Sequence, residues 1–414
     1  MRHGRRAISF LSIPLLALLG CAKGNDVTGS GGSGPGSSGT TGSGGQSGSG
    51  PAGTTGTAGA GGGVDDPFAG LPAAKALHVD GNKLRDASNA EVRLLGINRA
   101  GSEYMCSPPT QGGQAFDGST GPSSINAMLS WNINTVRLPL NEHCWLGINK
   151  TLISAEEYRD AIVNYVVQLH VRNLYVVLDL HWSAPGSTQI VGSGTGANQL
   201  VTMAFADHAI AFWTSVATTF KNDPMVVFDL FNEPILDASD RFGNSAVGDP
   251  WGCWLNGCSV AKGQTAGMQA MLNAVRATGA TQVVVAGGID WSHKLDGWLS
   301  HKPQDPTGNL MAAFHVYQPP LSNCSDTGCW NGALATVAQN VPVLTGEMGE
   351  QDCGHGFIDG YMSWADSKGI SYLGWAWNVQ SCTGFPALIT NVDGTATAFG
   401  QGLKDHLATM PALH

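Results

Sequence analysis

Apolar runs of strand length alternate with longer amphipathic stretches along most of this chain. The eight apolar runs begin near Val92, Asn134, Leu174, Val226, Gln282, Leu310, Val341 and Ser371. Amphipathic stretches with helical spacing lie between several of them, for example over residues 155–173, 204–221 and 266–278. Strands that alternate with helices are typical of a parallel sheet covered by helices, and eight such units close a barrel. The pattern therefore predicts a single (β/α)8 domain of the α/β class, a TIM barrel.

A shorter element precedes the first predicted strand. The segment Leu77-His-Val-Asp-Gly-Asn-Lys-Leu-Arg places turn-forming residues between two short strand-like runs, which is a hairpin signal. We expect this hairpin to plug the bottom of the barrel, where the strands begin.

The N-terminus has the pattern of an export signal. Arginines at positions 2, 5 and 6 precede an apolar stretch over residues 7–20, which is too short to span a bilayer as a stable helix. The stretch ends in Leu18-Leu-Gly-Cys21, which resembles a bacterial lipobox, so we expect residues 1–20 to be a signal peptide and Cys21 to be lipidated. The alternative is an ordinary secretory signal with an incidental cysteine. Either reading predicts an exported protein, extracellular or anchored at the cell surface by lipid.

A tether is predicted between this signal and the folded domain. Residues 24–63 are almost entirely Gly, Ser, Thr and Ala, a composition that cannot bury apolar surface. We therefore assign residues 21–63 to a flexible linker and residues 64–414 to one catalytic domain, because no internal repeat or second linker follows.

Cysteine content agrees with export. Nine cysteines are an odd number, and a lipidated Cys21 leaves eight, enough for four disulfides. Proximity along the chain and between adjacent loops suggests Cys253–Cys258, Cys324–Cys329, Cys106–Cys144 and Cys353–Cys382. Other pairings of the eight remain open at this point.

Charge and aromatic content narrow the range of partners. Charged residues make up only 13% of the chain and the net charge is −10, so no basic surface is available for nucleic acid. The twelve tryptophans have two interpretations, core packing or stacking against sugar rings, whose C–H faces are apolar.

Two glutamates carry the candidate chemistry, because each closes an apolar run. The runs are Val226-Val-Phe-Asp-Leu-Phe-Asn-Glu233-Pro and Val341-Pro-Val-Leu-Thr-Gly-Glu347. Their separation, 347 − 233 = 114 residues, fits three strand-plus-helix units. Residues at the carboxyl ends of barrel strands face one mouth, so we expect the two carboxyl groups to converge there. Paired carboxyl groups in a cleft are what glycoside hydrolysis requires.

Further polar and aromatic side chains cluster at the ends of the other predicted strands. They are Arg137 on strand two, His181 on strand three, Asn232 on strand four, His315 and Tyr317 on strand six, and Trp375 and Trp377 on strand eight. One such residue would be weak evidence, but the whole set at the same end of successive strands indicates an active site.

This set resembles the active site of glycoside hydrolase family 5, the cellulase family within the clan A barrels. In that family the acid/base follows an asparagine at the end of strand four, and the nucleophile ends strand seven. The resemblance covers nearly all of residues 75–410 and implies Glu233 as acid/base and Glu347 as nucleophile. The family's remaining active-site positions are matched by Arg137, His181, Asn232, His315, Tyr317 and Trp377.

The resemblance implies a retaining double displacement. We expect Arg137 and Tyr317 to keep Glu347 ionised, and the charge of Glu347 to favour a protonated Glu233. Asn232 is expected to bind the sugar 2-hydroxyl, and His181 and His315 to position the sugar and the two acids. Trp377 is expected to form the platform under the reacting ring, with Trp375 as the alternative.

Other residues near the mouth have competing interpretations. Glu350 is expected to be solvated or structural, and Glu142 and His143 to line the mouth or anchor a loop. Trp254 and Trp330 are either outer sugar platforms or loop packing. Asp179 is expected to support the barrel interior.

Rival functions are less consistent with the residues. A metal-dependent barrel hydrolase would need a His-x-His pair on strand one, which reads Leu95-Gly-Ile-Asn98, so we expect no metal and no cofactor. A non-catalytic glycan-binding protein would not need both glutamates. The resemblance favours an endo-acting β-1,4-glucanase, a monomer acting on β-glucan; a β-mannanase, or an enzyme acting on mixed-linkage glucan or xyloglucan, is the runner-up.

Overall fold

The computed structural model describes residues 66–107, 112–186, 197–198, 200–237 and 246–413. The predicted signal peptide, Cys21 and the linker lie outside these residues.

Eight parallel strands form a closed barrel, and each strand pairs with the next one along the chain until the eighth pairs with the first. The barrel strands are Leu95–Asn98, Thr135–Asn141, Tyr175–Trp182, Val226–Asp229, Val284–Gly287, Leu310–Tyr317, Val343–Gly349 and Ser371–Gly374. The predicted TIM barrel is therefore confirmed. Seven strand starts lie within two residues of the predicted positions, and the fourth, sixth and eighth coincide with them.

Helices surround the barrel and connect its strands. The α-helices are Pro122–Leu129, Glu142–Leu146, Ala155–His170, Ala209–Phe220, Pro250–Asn256, Met268–Ala277, Thr327–Cys329, Ala335–Ala338, Gly356–Lys368 and Ala398–Ala408. Ala73–Lys75 forms a 3-10 turn, Trp330–Leu334 a π-helical turn, and Ser259–Val260 pairs with Gly263–Gln264 as a small hairpin. Within the described ranges, no helix combines the length and apolar character needed to cross a membrane.

The helix Ala155–His170 shows how local sequence sets its ends. Ser154 caps its start, since its side chain accepts from the Glu157 N–H while the Glu157 carboxylate accepts from the Ser154 N–H, as in a capping box. Asn173, with a φ of 59°, takes the left-handed conformation that asparagine tolerates. The helix therefore ends three residues before the predicted limit.

The helix predicted from residue 204 starts later, at Ala209. Residues 204–206 are taken by extended pairing instead: Ala206 N–H donates to Gln264 O at 2.9 Å, and Ala266 N–H donates to Ala204 O at 2.8 Å. These long-range hydrogen bonds outweigh the helical pattern of the local sequence.

The predicted hairpin is present, and its sheet also includes Val92, near which the first barrel strand was expected to begin. His78–Asp80 and Lys83–Arg85 pair antiparallel, and Val92 extends this sheet by pairing with Leu84. The expected start of strand one near Val92 is therefore wrong, and the barrel begins at Leu95. Leu77 and Leu84 pack against side chains from the starts of the barrel strands, among them Tyr175 and Val227, and so plug the bottom of the barrel.

Disulfides link the loops at the opposite end of the barrel. All four expected pairs are present, Cys106–Cys144, Cys253–Cys258, Cys324–Cys329 and Cys353–Cys382. The first joins the loop after strand one to the helix after strand two, and the last joins the loops after strands seven and eight. These covalent links restrain the loops around the mouth.

Candidate active site

Glu347 is held by two donors from other barrel strands. Its side chain lies within strand seven and is buried. One carboxylate oxygen, Oε1, accepts from Arg137 Nη1 at 3.0 Å, and Oε2 accepts from the Tyr317 hydroxyl at 2.5 Å. Burial, followed by the charges of Glu347 and Glu233, raises the pKa of Tyr317 well above its usual range, so its phenol stays a proton donor. The carboxylate is therefore fixed in one orientation.

Arg137 lies fully buried on strand two and connects most of the site. It forms ion pairs of 3.0–3.1 Å with Asp179, Asp229 and Glu347. It also donates to Asn98 Oδ1 at 3.0 Å and to Asn232 Oδ1 at 2.8 Å. Burial alone would lower the pKa of Arg137, but the three carboxylates outweigh it and raise the pKa, so the guanidinium keeps its charge.

Glu233 follows strand four and is less buried than Glu347, with 12% of its side chain exposed against 5%. Its Oε1 lies 3.0 Å from Nδ1 of His315. Burial raises the pKa of Glu233 to about 7, although the positive charge of Arg137 acts in the opposite direction. The cause differs from our expectation, since burial rather than the charge of Glu347 is the main effect.

The two glutamates meet at one mouth. One oxygen from each carboxyl group and one ring nitrogen of His315 lie within 4.8 Å of one another. The short separation is typical of retaining glycosidases, in which the carboxyl groups stand about 5–5.5 Å apart, whereas inverting enzymes leave room for a water molecule. The same three side chains could also offer ligand atoms to a metal ion.

Both histidines of the site are neutral near pH 7. Burial lowers the pKa of His181 to about 4 and that of His315 to about 3. His181 Nδ1 lies 2.6 Å from Asp179 Oδ2, so a neutral ring donates through Nδ1 and keeps Nε2 as an acceptor. The supporting position expected for Asp179 matches its place between His181 and Arg137.

The two tryptophans of strand eight occupy different environments. Trp375 is partly exposed, and its indole stacks on the His181 ring with centroids 5.3 Å apart and an interplanar angle of 6°. Trp377 is only 3% exposed and packs edge-on against Trp131 at 4.9 Å. A buried indole cannot support a sugar ring, so the platform expected of Trp377 is wrong, and Trp375, the alternative, is the tryptophan that stacks on His181.

Four other residues considered near the mouth pack or form hydrogen bonds within the protein. Glu350 accepts from the Ile358 N–H at 2.8 Å and so caps the start of a helix. Trp254 is fully buried and Trp330 is 4% exposed, so the expectation of outer sugar platforms is wrong for both and loop packing accounts for them. Glu142 is buried and accepts from Ser183 Oγ at 3.0 Å, which anchors the loop after strand three.

Three residues of the site were missed by the sequence analysis. Asp229 and Asn98 bind Arg137 directly, and Ser292 donates to the Asn232 carbonyl at 2.9 Å while its own carbonyl accepts from the His315 N–H at 3.0 Å. For Asp229 a signal was available, since an acidic residue in the run Val-Val-Phe-Asp-Leu is as unusual as Asp179 on strand three. Asn98 and Ser292 carry no comparable signal.

Comparison with known proteins shows the family to which the chain belongs. The sequence profile described as Cellulase (glycosyl hydrolase family 5) matches residues 86–381. The chain belongs to this family.

Some characterised relatives are named as mannosidases and others as endoglucanases. A mannan endo-1,4-beta-mannosidase from Cellvibrio japonicus is 22% identical over 345 residues, covering 80% of this chain and 66% of the relative. Endoglucanase 1 from Saitozyma flava is 29% identical over 262 residues, covering 59% of this chain and 66% of the relative. The chain thus spans about two thirds of the length of these relatives.

A solved structure matches the fold over most of this chain. The native form of a β-glucanase from Saccharophagus degradans superposes with a TM-score of 0.61 at 19% sequence identity, covering 82% of this chain and 94% of that one. This match concerns the barrel fold.

Replacing Arg137 with methionine is expected to destabilise the fold strongly. The change leaves several buried carboxyl groups without their cation, which costs about 3–5 kcal/mol of unfolding free energy. Urea unfolding at pH 7 measures it. Arg85→Met, which breaks the exposed pair with Asp80, is the matched control and should cost about 1 kcal/mol or less. Equal losses in the two variants would contradict the central position of Arg137.

Proposed function

We propose that this protein is a retaining endo-β-1,4-glucanase with Glu347 as nucleophile and Glu233 as acid/base. The observation that carries the proposal is the pair itself: two carboxyl groups within 4.8 Å, one fixed by Arg137 and Tyr317 and the other with its pKa raised to about 7. An ionised group beside a protonated one is the arrangement that a double displacement requires at neutral pH.

In the first step an oxygen of Glu347 attacks the anomeric carbon. The bond from that carbon to the glycosidic oxygen breaks, and the Glu233 carboxyl group transfers its proton to the departing oxygen. The product is a glycosyl ester on Glu347, and Glu233 is left as a carboxylate.

In the second step water replaces the ester. Esterification removes the charge of Glu347, while the carboxylate of Glu233 takes a proton from the incoming water. The water oxygen attacks the same carbon, the ester bond breaks, and Glu347 returns as a carboxylate with Glu233 protonated. Two inversions give net retention at the anomeric carbon.

The surrounding groups bind the reacting sugar. Asn232 is held through its oxygen by Arg137, so its amide N–H group is the part it can offer to the sugar 2-hydroxyl. His181 offers Nε2 as an acceptor, and Trp375, stacked on His181, supplies the apolar face for the ring. His315 keeps Glu233 in position. No step needs a metal ion, because side chains supply both the acid and the nucleophile.

Glucan is the substrate we propose, and β-1,4-mannan is the second candidate. The endoglucanase from Saitozyma flava and a solved complex of the Saccharophagus degradans β-glucanase with cellotetraose support glucan. The mannosidase from Cellvibrio japonicus supports mannan. Both polymers present the same linkage chemistry to the catalytic pair.

We further propose that the enzyme acts outside the cytoplasm. The arginines before an apolar stretch, the lipobox-like Leu18-Leu-Gly-Cys21 and the Gly/Ser/Thr linker support export with a lipid anchor at Cys21. Four disulfides are consistent with an oxidising compartment.

A substrate panel tests the specificity. Purified protein is assayed by release of reducing ends and by fall in viscosity on carboxymethylcellulose, mixed-linkage β-glucan, xyloglucan, β-mannan and xylan. We expect the highest kcat/KM on β-1,4-glucan, with viscosity falling early, as an endo mode requires. A preference for mannan would mean that the same mechanism acts on β-1,4-mannan, the second candidate substrate. No activity on any polymer would refute the proposal.

Removal of either carboxyl group should abolish turnover but leave the fold intact. Glu347→Ala and Glu233→Ala are each expected to reduce kcat/KM at least about 100-fold, the lower range for loss of acid–base catalysis. With an activated aryl glycoside and azide, Glu347→Ala should form a glycosyl azide of inverted configuration. Glu233→Ala should give the azide with retained configuration. Glu156→Ala, an exposed glutamate on a helix, is the control; interchange of the two azide outcomes would reverse the assigned roles.

The pH profile should report the raised pKa of Glu233. The acid must begin protonated, so kcat/KM is expected to fall as the pH rises through about 7, the pKa of this group. A dinitrophenyl glycoside, whose leaving group needs no proton, should lose this basic limb. A limb near 4.3, the ordinary glutamate pKa, would show that burial does not act on Glu233 as described.

A further inference from the structure

Three consecutive residues are left-handed in the turn that follows strand five. Asp290, Trp291 and Ser292 have φ angles of 55°, 56° and 59°. Aspartate tolerates this conformation, whereas tryptophan and serine rarely adopt it, because their Cβ approaches the following carbonyl oxygen. Such strain persists only where the surrounding structure fixes the backbone, and it is concentrated at functional sites. The contacts of this turn with the rest of the molecule therefore indicate its role.

Hydrogen bonds close the turn at its base. Ile289 and Lys294 exchange two backbone N–H···O bonds of 3.1 Å, and the His293 N–H donates to Asp290 O at 3.0 Å. Glycine at position 288 allows this closure, since a Cβ there would lie 2.1 Å from Lys294 O. The turn is therefore a closed hairpin, and the positions of the residues at its tip are linked.

The turn holds the backbone on both sides of Glu233. The buried hydroxyl of Ser292 donates to Asn232 O at 2.9 Å, and the Trp291 N–H donates to Pro234 O at 3.1 Å. Asn232 and Pro234 directly precede and follow Glu233 in the chain. Two hydrogen bonds from adjacent residues of the turn therefore fix the segment from which the Glu233 side chain extends.

The same turn also holds the partner of the Glu233 side chain. Ser292 O accepts from the His315 N–H at 3.0 Å, and His315 Nδ1 lies 3.0 Å from Glu233 Oε1. Ser292 thus contacts the segment that carries the carboxyl group through its hydroxyl, and the histidine that contacts this carboxyl group through its carbonyl. A shift of Ser292 therefore changes the position of Glu233 from two directions.

A glycine makes room for the serine hydroxyl. Gly287 ends strand five, and a Cβ at this position would lie 2.8 Å from Ser292 Oγ. Its next contacts, with Phe231 O and Asn232 O, would be 3.5 Å and 3.6 Å, which are ordinary van der Waals distances. An alanine at position 287 therefore conflicts with the Ser292 hydroxyl and leaves the other contacts unstrained.

We propose that the left-handed turn 290–292 positions the acid/base, with Ser292 as the positioning residue. The inference rests on the proposed function, in which Glu233 protonates the departing oxygen. Proton transfer requires the donor to lie within hydrogen-bond reach of that oxygen, so a displaced Glu233 slows the steps in which it moves a proton. Glu347 is held by Arg137 and Tyr317 instead, so its attack does not depend on the turn.

Two substitutions disturb the serine hydroxyl in different ways. Ser292→Gly removes it and also relieves the left-handed strain, so this variant should have a Tm no lower than that of Ser292→Ala. Gly287→Ala keeps the hydroxyl but pushes it away from Asn232 O. Ser371→Ala is the control, because it removes another buried serine hydroxyl, which accepts from the Leu94 N–H at 3.0 Å at the opposite end of the barrel.

Aryl glycosides of the sugar that the wild type prefers separate proton transfer from folding. A phenyl leaving group needs a proton, so kcat/KM for Ser292→Gly and Gly287→Ala should fall at least about tenfold on the phenyl glycoside. A dinitrophenyl leaving group needs none, so kcat/KM on that glycoside should stay within about twofold of the wild type. Glu233→Ala should show the same selective loss at a larger size, and Ser371→Ala should match the wild type on both substrates.

The ratio of the two kcat/KM values decides the outcome. Equal losses on both glycosides would mean that the turn only supports the fold, and wild-type values on the phenyl glycoside would mean that it does not position Glu233. Either result would overturn the proposal. If Glu233→Ala itself shows no selective loss, the acid/base assignment of the proposed function has failed. If Glu233→Ala does and the turn variants do not, the positioning role of the turn alone has failed.

Discussion

The ion pairs of Arg137 hold this active site together. One guanidinium, buried on strand two, reaches Asp179 on strand three, Asp229 on strand four and Glu347 on strand seven, and also two asparagine side chains. Only a closed barrel brings side chains from these strands to one point, because its strands all end at the same mouth. The network in turn makes the burial of three carboxyl groups possible, since unpaired charges of that kind are strongly destabilising.

The two glutamates have different hydrogen-bond partners in this network. Glu347 has both oxygens bound by donors, Arg137 and Tyr317, whereas Glu233 has a neutral histidine as its partner and a pKa raised to about 7. Two residues of the same type therefore stand in different environments because their neighbours differ. The supporting residues matter as much as the pair, since Asp179 orients His181 and Ser292 ties Asn232 to His315.

Specificity belongs to a different part of the molecule from the chemistry. The proposed catalytic side chains lie on or directly after barrel strands, whereas the walls of the mouth are loops, several of them joined by disulfides. Glucan and mannan differ in the orientation of a hydroxyl group and not in the linkage, so the same catalytic set serves both.

The sequence alone determined the barrel, the two glutamates and most of their partners, and it suggested the four disulfide pairs that the structure contains. It could do so because the barrel and its site leave local signals: short apolar runs between amphipathic stretches, and polar residues where apolar ones are expected. The tertiary structure decided between Trp375 and Trp377. It also buried Trp254 and Trp330, and it brought Asn98, Asp229 and Ser292 into the site. It also placed Val92 in the small antiparallel sheet at the bottom of the barrel. Residues 204–206, where a helix was predicted, are extended instead. Each of these outcomes depends on which distant segment packs against a residue, and spacing along one chain does not record that.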